Sequence, residues 1–480
     1  MDRHTSRLST GIAGLDDILH GGFIARTAYL VRGGPGQGKT TLGLHFLSAC
    51  QEDETALFIG FQEPEEQLRQ NAAKVGMGLE RVNFLSLAPD ESFFTEQSGY
   101  DIFSSSDVEQ APIAEAVIEA VEQHRPSRVF IDSLTQMRFI SADVFQYRKT
   151  VLSLLHFLKE RGITVAFSSE SSDHLPDDDL QFMADGVLLL KTEQAVSALT
   201  VEKFRGSGFR RGAHQMRIDV TGLRVFPRPL PPMSKLVTDT RDQWSSGIEA
   251  LDTMLNGGIE AGSVTLITGP AGVGKSTLAA CFAAEASRDG SRTGIYLFEE
   301  EMSNYLRRAN ALQVGLEQAQ RDGRVTIEQI EPLRYLADEF SQRIRQHIEE
   351  QQIKLVVLDS ISGFAMALDG DSLQERLHSF VKHLARLGVT VVLVNEVADM
   401  GGALRISETG ISYLADNVIY LRYMEMNGEL TKVMGILKKR LSAFDNACYS
   451  YRIGPHALTV GEPVRALENV HNITSMTSGP

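Results

Sequence analysis

Two segments of this 480-residue chain limit its fold before anything else: Gly33-Gly34-Pro35-Gly36-Gln37-Gly38-Lys39-Thr40 and Gly269-Pro270-Ala271-Gly272-Val273-Gly274-Lys275-Ser276. Both fit G-x-x-x-x-G-K-[ST], and their last glycines stand 236 positions apart. Glycines let successive backbone N–H groups curl around a triphosphate, because they tolerate positive φ and carry no side chain. The lysine of such a loop reaches the β- and γ-phosphates, and the hydroxyl after it ligates Mg2+. Thr41 and Thr277 complete the two expected ATP-binding sets. A working phosphate loop follows a buried strand and opens a helix. Thr27–Val31 and Ser263–Thr268 supply the strands, and Thr41–Leu47 and Thr277–Ala280 continue with helical character. The bland alternative, a structural glycine-rich turn, does not require that context.

The repeat reaches beyond the loops. Ser9-Thr10-Gly11-Ile12-Ala13-Gly14-Leu15-Asp16 aligns with Ser245-Ser246-Gly247-Ile248-Glu249-Ala250-Leu251-Asp252, and Gly21-Gly22 with Gly257-Gly258, at the same offset of 236. A tandem duplication is implied. Within each copy, short Val/Ile/Leu runs alternate with amphipathic stretches. Strands are expected at Ala56–Gly60, Val82–Leu87, Arg128–Asp132, Thr164–Ser168, Gly186–Leu190 and Leu199–Phe204. Their counterparts are Gly294–Phe298, Val325–Ile330, Leu355–Asp359, Thr390–Asn395, Asn417–Arg422 and Val433–Lys438. The pattern predicts an α/β fold in which each copy is a mostly parallel sheet flanked by helices. Expected domains are 1–226 and 241–461, with a stiff linker at 227–240 marked by Pro227, Pro229, Pro231 and Pro232, and a tail at 462–480. The Ser-, Asp- and Glu-rich stretch Pro89–Gln110 reads as a surface loop.

Composition sets limits. A net charge of −15 disfavours broad adhesion to nucleic acid or anionic lipid. No apolar run is long enough to span a membrane, and the N-terminus lacks the apolar core of a secretory signal. Cys50, Cys281 and Cys448 lie far apart, without metal-site spacing. A cytoplasmic protein is expected.

Hydrolysis of ATP needs a second acid for Mg2+ and a group that positions the attacking water. Asp132 and Asp359, each ending an apolar strand before a serine, are the expected acids, beside Thr40 and Ser276 as Mg2+ ligands. A turn-capping aspartate is the alternative. For the water, the candidates are Glu299 and Glu300 in the second copy and Gln62 and Glu63 in the first. Adjacent carboxylates are ordinarily solvated charge, but these stand where a doubly wound sheet binds its ligands. An amide orients water without taking a proton. In the first copy the base role therefore passes to Glu63, and slow turnover is expected.

Together, the S-x-G-h-x-x-L-D motif (h, apolar), the phosphate loop and the h-h-D-S strand, present in both copies, with the strand end Phe298-Glu299-Glu300 and its variant Phe61-Gln62-Glu63, make nearly the whole chain resemble the KaiC family of RecA-like ATPases. The resemblance implies two tandem RecA-like domains, ATP and Mg2+ as cofactors, and a two-tier homo-hexamer. It also implies a trans-acting role, toward a neighbour's nucleotide, for Lys203 and Arg205 in Lys203-Phe204-Arg205-Gly206-Ser207, and for Lys438 and Arg440 in a degraded copy. A solvated basic edge is the plain alternative. Clock-type members phosphorylate an adjacent Ser-Thr pair. Here Ser412 holds the first place and Tyr413 replaces the threonine, so a two-site cycle is excluded. Ser412 is the candidate phosphosite for an autokinase and autophosphatase activity, with Glu299 as base, against the reading of a plain turn serine. The tail to Pro480 is shorter than the family's regulatory tail, so docking of a KaiA-type activator is not expected, and a KaiB-type or two-component signalling protein is the partner the resemblance leaves open. Two other functions compete: a RecA-like DNA-dependent ATPase, and a nucleotide-sensing scaffold with little turnover. DNA binding would want basic or aromatic loops after the h-h-D-S strands. Leu134–Tyr147 offers Arg138 and Phe139, whereas Ile361–Gln374 offers Asp369 and Asp371 and no basic residue, which argues against DNA.

Overall fold

The computed structural model describes residues 6–87, 106–141, 143–170, 177–193, 196–229, 243–331, 334–366, 373–397, 411–426, 428–455 and 457–464. The chain divides into two compact units, Met1–Arg228 and Pro229–Pro480.

Unit one opens with a two-stranded ribbon, β1 (Arg7–Leu8) and β2 (Phe23–Ile24). Its main sheet comprises β3 (Ala28–Arg32), β4 (Ala56–Gly60), β5 (Val82–Ser86), β6 (Arg128–Asp132), β7 (Thr164–Ser169), β8 (Gly186–Glu193), β9 (Val196–Phe204), β10 (Ala213–Asp219) and β11 (Gly222–Phe226). The order across the sheet is 11-10-9-8-3-7-6-4-5. The strands from β8 through β5 run parallel, and β9, β10 and β11 extend the sheet antiparallel.

Unit two repeats this topology. After the ribbon β12 (Gln243–Trp244) and β13 (Ile259–Glu260) come β14 (Val264–Gly269), β15 (Arg292–Leu297), β16 (Val325–Gln329), β17 (Ile353–Asp359) and β18 (Thr390–Glu396). They continue with β19 (Asn417–Met426), β20 (Glu429–Lys439), β21 (Tyr449–Gly454) and β22 (Ala457–Pro463), in the order 16-15-17-18-14-19-20-21-22.

The continuous apolar runs arise because both faces of each sheet are covered. Successive side chains point to opposite faces. Phe130 of β6 therefore packs under the phosphate-loop helix, while Val129 and Ile131 join the core on the other face. Leu355 and Val357 of β17 are divided in the same way from Val356 and Leu358. The helix Lys39–Ser48 lies so close to β6 that a Cβ on Gly43 would meet the Phe130 ring at 2.2 Å.

All fourteen expected strands are present, several of them longer than the sequence pattern predicts. The hairpins β10–β11 and β21–β22 were not anticipated. Their sequences alternate with polar residues, because an antiparallel extension leaves one face nearer solvent. The surface loop expected at Pro89–Gln110 is corrected in part: residues 106–110 belong to the helix Ser106–His124, and 89–105 lie outside the described residues. Most of the expected linker and tail, including Pro231 and Pro232, also lies outside them. Among the described residues no helix is long and apolar enough to cross a membrane.

Candidate functional site

In each unit the central strand of the nine-stranded sheet, β3 or β14, runs straight into its phosphate loop, and the loop opens a helix. Gly38 at φ 91° and Gly274 at φ 117° stand at the helix starts, in the left-handed region that only glycine adopts without strain. Lys39 and Lys275 follow and are buried. Their ammonium groups fold back onto loop carbonyls: Lys39 Nζ donates to Gly33 O and Gly34 O, both at 2.8 Å, and Lys275 Nζ to Pro270 O at 2.8 Å. Burial pushes both lysines below the usual ammonium value, opposed by Glu170 and Asp132 in unit one and by Glu396, Asp359 and Glu299 in unit two. A cation held half-desolvated above N–H groups is suited to receive a polyanion.

The strand-end acids lie beside the helix hydroxyls. Thr40 Oγ1 donates to Asp132 Oδ2 at 2.5 Å, and Ser168 Oγ donates to Asp132 Oδ1. In unit two Ser276 bonds to Asp359, whose carboxyl burial pushes up to about 6, opposed by the Ser276 bond and Arg308. Asp359 Oδ2, Ser133 Oγ and Ser360 Oγ are buried without a hydrogen-bond partner among the described residues. A buried carboxylate oxygen left bare next to a hydroxyl suits a hard divalent cation with oxygen ligands. Ser276 with Asp359 therefore fits Mg2+, and Thr40 with Asp132 repeats the hydroxyl–carboxylate pair, there with both carboxylate oxygens accepting from hydroxyls. The Asp132–Ser133 and Asp359–Ser360 peptides are both cis.

Backbone hydrogen bonds bring the water-positioning candidates to the same place. Phe61 N donates to Asp132 O at 3.0 Å and Phe298 N to Asp359 O at 2.9 Å, so the residues that follow emerge beside the acids. Glu299 and Gln62 are exposed at the strand ends. Glu300 is engaged differently: Arg308 Nη1 and Nη2 donate to its two carboxylate oxygens at 2.6 and 2.8 Å. In unit one burial, reinforced by Asp132, raises the Glu63 carboxyl above the ordinary range. The two glutamates of unit two, alike in sequence, thus occupy different electrostatic settings.

The basic segments on β9 and β20 split along a similar line. Lys203 Nζ donates to Gln181 O and Ala184 O, both at 2.7 Å; Lys438 Nζ donates to Ser412 O at 3.1 Å and Ala415 O at 2.6 Å. Each lysine holds the turn before the neighbouring strand. Arg205 and Arg440 remain largely in solvent, 3.9 and 3.5 Å from Asp185 and Asp416. Ser412 lies in the short 3-10 turn Ile411–Tyr413 with a half-buried side chain, and Tyr413 is exposed. The residues before this turn, Glu408–Gly410, lie outside the described residues.

Two acids at the site escaped the sequence reading. Glu170 and Glu396 end or follow the strands hydrogen-bonded to the phosphate-loop strands, and Glu396 Oε2 lies 3.4 Å from Lys275 Nζ. Conversely, the S-x-G-h-x-x-L-D motif is a brace. Asp16 accepts from Ser9 Oγ, Thr10 N and Thr10 Oγ1, and Asp252 accepts from Ser245 Oγ, Ser246 N and Ser246 Oγ, at 2.5–2.8 Å. Of the residues weighed for DNA, Arg138 lies over the Tyr147 ring of its own unit, and Asp369 and Asp371 fall outside the described residues.

The model of the family "ATPase: KaiC" matches this chain twice, over residues 8–229 and 244–465. Proteins described as "Circadian clock oscillator protein KaiC" are similar along nearly the full length. The one from Prochlorococcus marinus is 26% identical over 98% of this chain and 96% of its own. That from Parasynechococcus marenigrum is 26% identical over 93% and 88%, and that from Synechococcus elongatus 25% identical over 97% and 91%.

Proposed function

The chain belongs to the KaiC family of ATPases, and from that premise we propose that it works as a hexameric two-tier ring in the cytoplasm whose slow ATP hydrolysis serves as a signalling or timing switch. The observation that carries the hydrolytic reading is the repeated pairing of a phosphate-loop hydroxyl with a strand-end acid, Thr40 with Asp132 and Ser276 with Asp359. The proposed domains are 1–226 and 241–461, joined by 227–240 and followed by the tail 462–480.

In this reading the loop amides of Gly33–Thr41 and Gly269–Thr277 cradle the triphosphate. Lys39 and Lys275 leave their carbonyls to meet it. Mg2+, held by Thr40 with Asp132 and Ser276 with Asp359, would neutralise charge on the phosphate oxygens. Glu299 orients the attacking water and takes its proton. In unit one Gln62 orients and Glu63 accepts the proton, a less direct arrangement that makes the N-terminal tier slower. Arg205 and Arg440 are the exposed cations and reach the neighbouring subunit's nucleotide; Lys203 and Lys438 support this from the turns they hold.

The same unit-two machinery extends to phosphoryl transfer. The Ser412 hydroxyl attacks the γ-phosphorus, the bond to ADP breaks, and Glu299 receives the hydroxyl proton. A single acceptor gives one phosphorylated state. A KaiB-type or two-component signalling protein would read that state or the nucleotide content of the ring.

Incubation of the purified full chain with γ-labelled ATP and Mg2+, followed by mass mapping, tests this. Label on Ser412 that disappears in Ser412→Ala and in Glu299→Gln supports the switch with autokinase activity. Inorganic phosphate released with no label on protein removes the autokinase and leaves a ring ATPase. Neither phosphate nor label would favour a nucleotide-sensing scaffold.

A further inference from the structure

The geometry points to Arg308 as a positioning residue for unit two: by forking both carboxylate oxygens of Glu300 it withdraws that acid, so that Glu299 alone faces the reacting phosphate. The inference rests on the ATPase reading above.

Glu299 and Glu300 leave β15 together, next to the strand that ends in Asp359. Two free carboxylates there would both repel a triphosphate and both compete for the water. Arg308 prevents this with two parallel hydrogen bonds of 2.6 and 2.8 Å, the geometry in which a planar guanidinium binds a carboxylate most specifically. Its own seat is firm, since the guanidinium lies 5.1 Å from the ring centre of the fully buried Tyr305, one helical turn earlier. Both charges act on Asp359, in opposite senses, so the pair is part of the site's electrostatics.

A structural brace is the competing explanation, and magnitude decides against it. Side-chain exposures of 36% and 28% place the pair near the surface, where ion pairs add little to stability. Unit one supplies the contrast. Its helix Glu65–Lys74 matches Met302–Ala311 in length and buried positions, with Leu68 and Ala72 in the places of Tyr305 and Ala309. That match puts Asn71 where Arg308 stands. Without a guanidinium there, Glu63 keeps a carboxyl that burial and Asp132 raise. The fork therefore belongs to the copy that carries two glutamates.

The test uses the full-length chain carrying Lys39→Ala, which leaves unit two to report. Arg308→Asn frees Glu300 beside the phosphate site. It is expected to lower kcat and weaken binding of a fluorescent ATP analogue by about ten-fold each, the size of one unscreened like charge at short range. Adding Glu300→Gln to Arg308→Asn removes that charge and should restore most of the analogue binding, with the thermal midpoint unchanged throughout. Arg308→Lys, a cation without the fork, should fall between. Arg308→Asn with unaltered kcat and binding would overturn the inference. So would a loss that Glu300→Gln fails to relieve, because that is the behaviour of a brace. If the Lys39→Ala parent shows no hydrolysis, the ATPase reading of unit two fails, while analogue binding still reports whether Glu300 is being held away.

Discussion

His45 shows how one residue couples the phosphate-loop helix to the edge of its sheet. It lies on the helix Lys39–Ser48, and its Nε2 accepts a hydrogen bond from Leu223 N of β11 at 2.9 Å. Burial lowers its pKa below the ordinary histidine value, so the folded chain keeps it neutral where an unfolded chain takes up a proton. The sign follows from linkage: the contribution is intact above the unfolded value of about 6.5 and is lost as pH falls from there toward the lowered one. Unit one should lose urea resistance as pH falls below about 6.5, with a slope of at most about 1.4 kcal/mol per pH unit for one proton. His45→Gln, which keeps an acceptor but cannot titrate, should flatten that part of the profile; an unchanged slope would show that another group titrates there. The phosphate-loop lysines give a second residue-scale expectation. Because Glu299 is a carboxylate where unit one has Gln62, Lys275→Ala should remove most of the phosphate release and Lys39→Ala the smaller share, as read by steady-state assay. The reverse ranking would contradict the roles assigned to Gln62 and Glu299.

At the scale of the element, the packing of the phosphate-loop helix on β6 depends on Gly43. Valine there would improve helix propensity by somewhat under 1 kcal/mol relative to glycine, but would drive a side chain into Phe130. Overpacking of a dense core costs about 1–3 kcal/mol, so the net effect of Gly43→Val should be a lower urea midpoint with an unchanged slope. The parallel strands were legible because burial on both faces writes them as uninterrupted apolar runs, as in Val129–Ile131 and Leu355–Leu358. The phosphate loops were legible because their chemistry is local in sequence. Glu170 and Glu396 were not, since their nearness to the lysines comes from β7 lying beside β3 and β18 beside β14, strands more than a hundred residues apart. The Arg308 fork escaped for a related reason: it joins a strand end to the second turn of the following helix, a spacing that no helical or strand period marks. The leading Ser-Thr/Ser-Gly motif was legible as a repeat, but its work as a brace for Asp16 and Asp252 emerged only from the hydrogen bonds.

At the scale of the whole molecule, the open question is whether a subunit completes its own site. Arg205 and Arg440 are 60% and 49% exposed and stand 3.9 and 3.5 Å from their nearest acids, too loosely held to matter much for folding. If each instead serves the next subunit round a ring, damage to the phosphate loop and damage to the arginine fall on different partners and can complement. In the Lys39→Ala background, Lys275→Ala should silence unit two, and Arg440→Ala should depress it by about a thousand-fold, the scale of an arginine placed on a transferring phosphate. Rings assembled from both variants in equal amounts contain interfaces that join an intact Lys275 to an intact neighbouring Arg440. Random head-to-tail assembly makes these roughly a quarter of all interfaces, so hydrolysis should return to about that fraction of the parent rate. The rate of each variant alone would stay near zero at the same total concentration. Recovery would establish that the nucleotide of unit two is completed across a subunit boundary. Mixtures as silent as their components would place Arg440 in its own subunit's site or outside catalysis, and would remove the reason for requiring a ring.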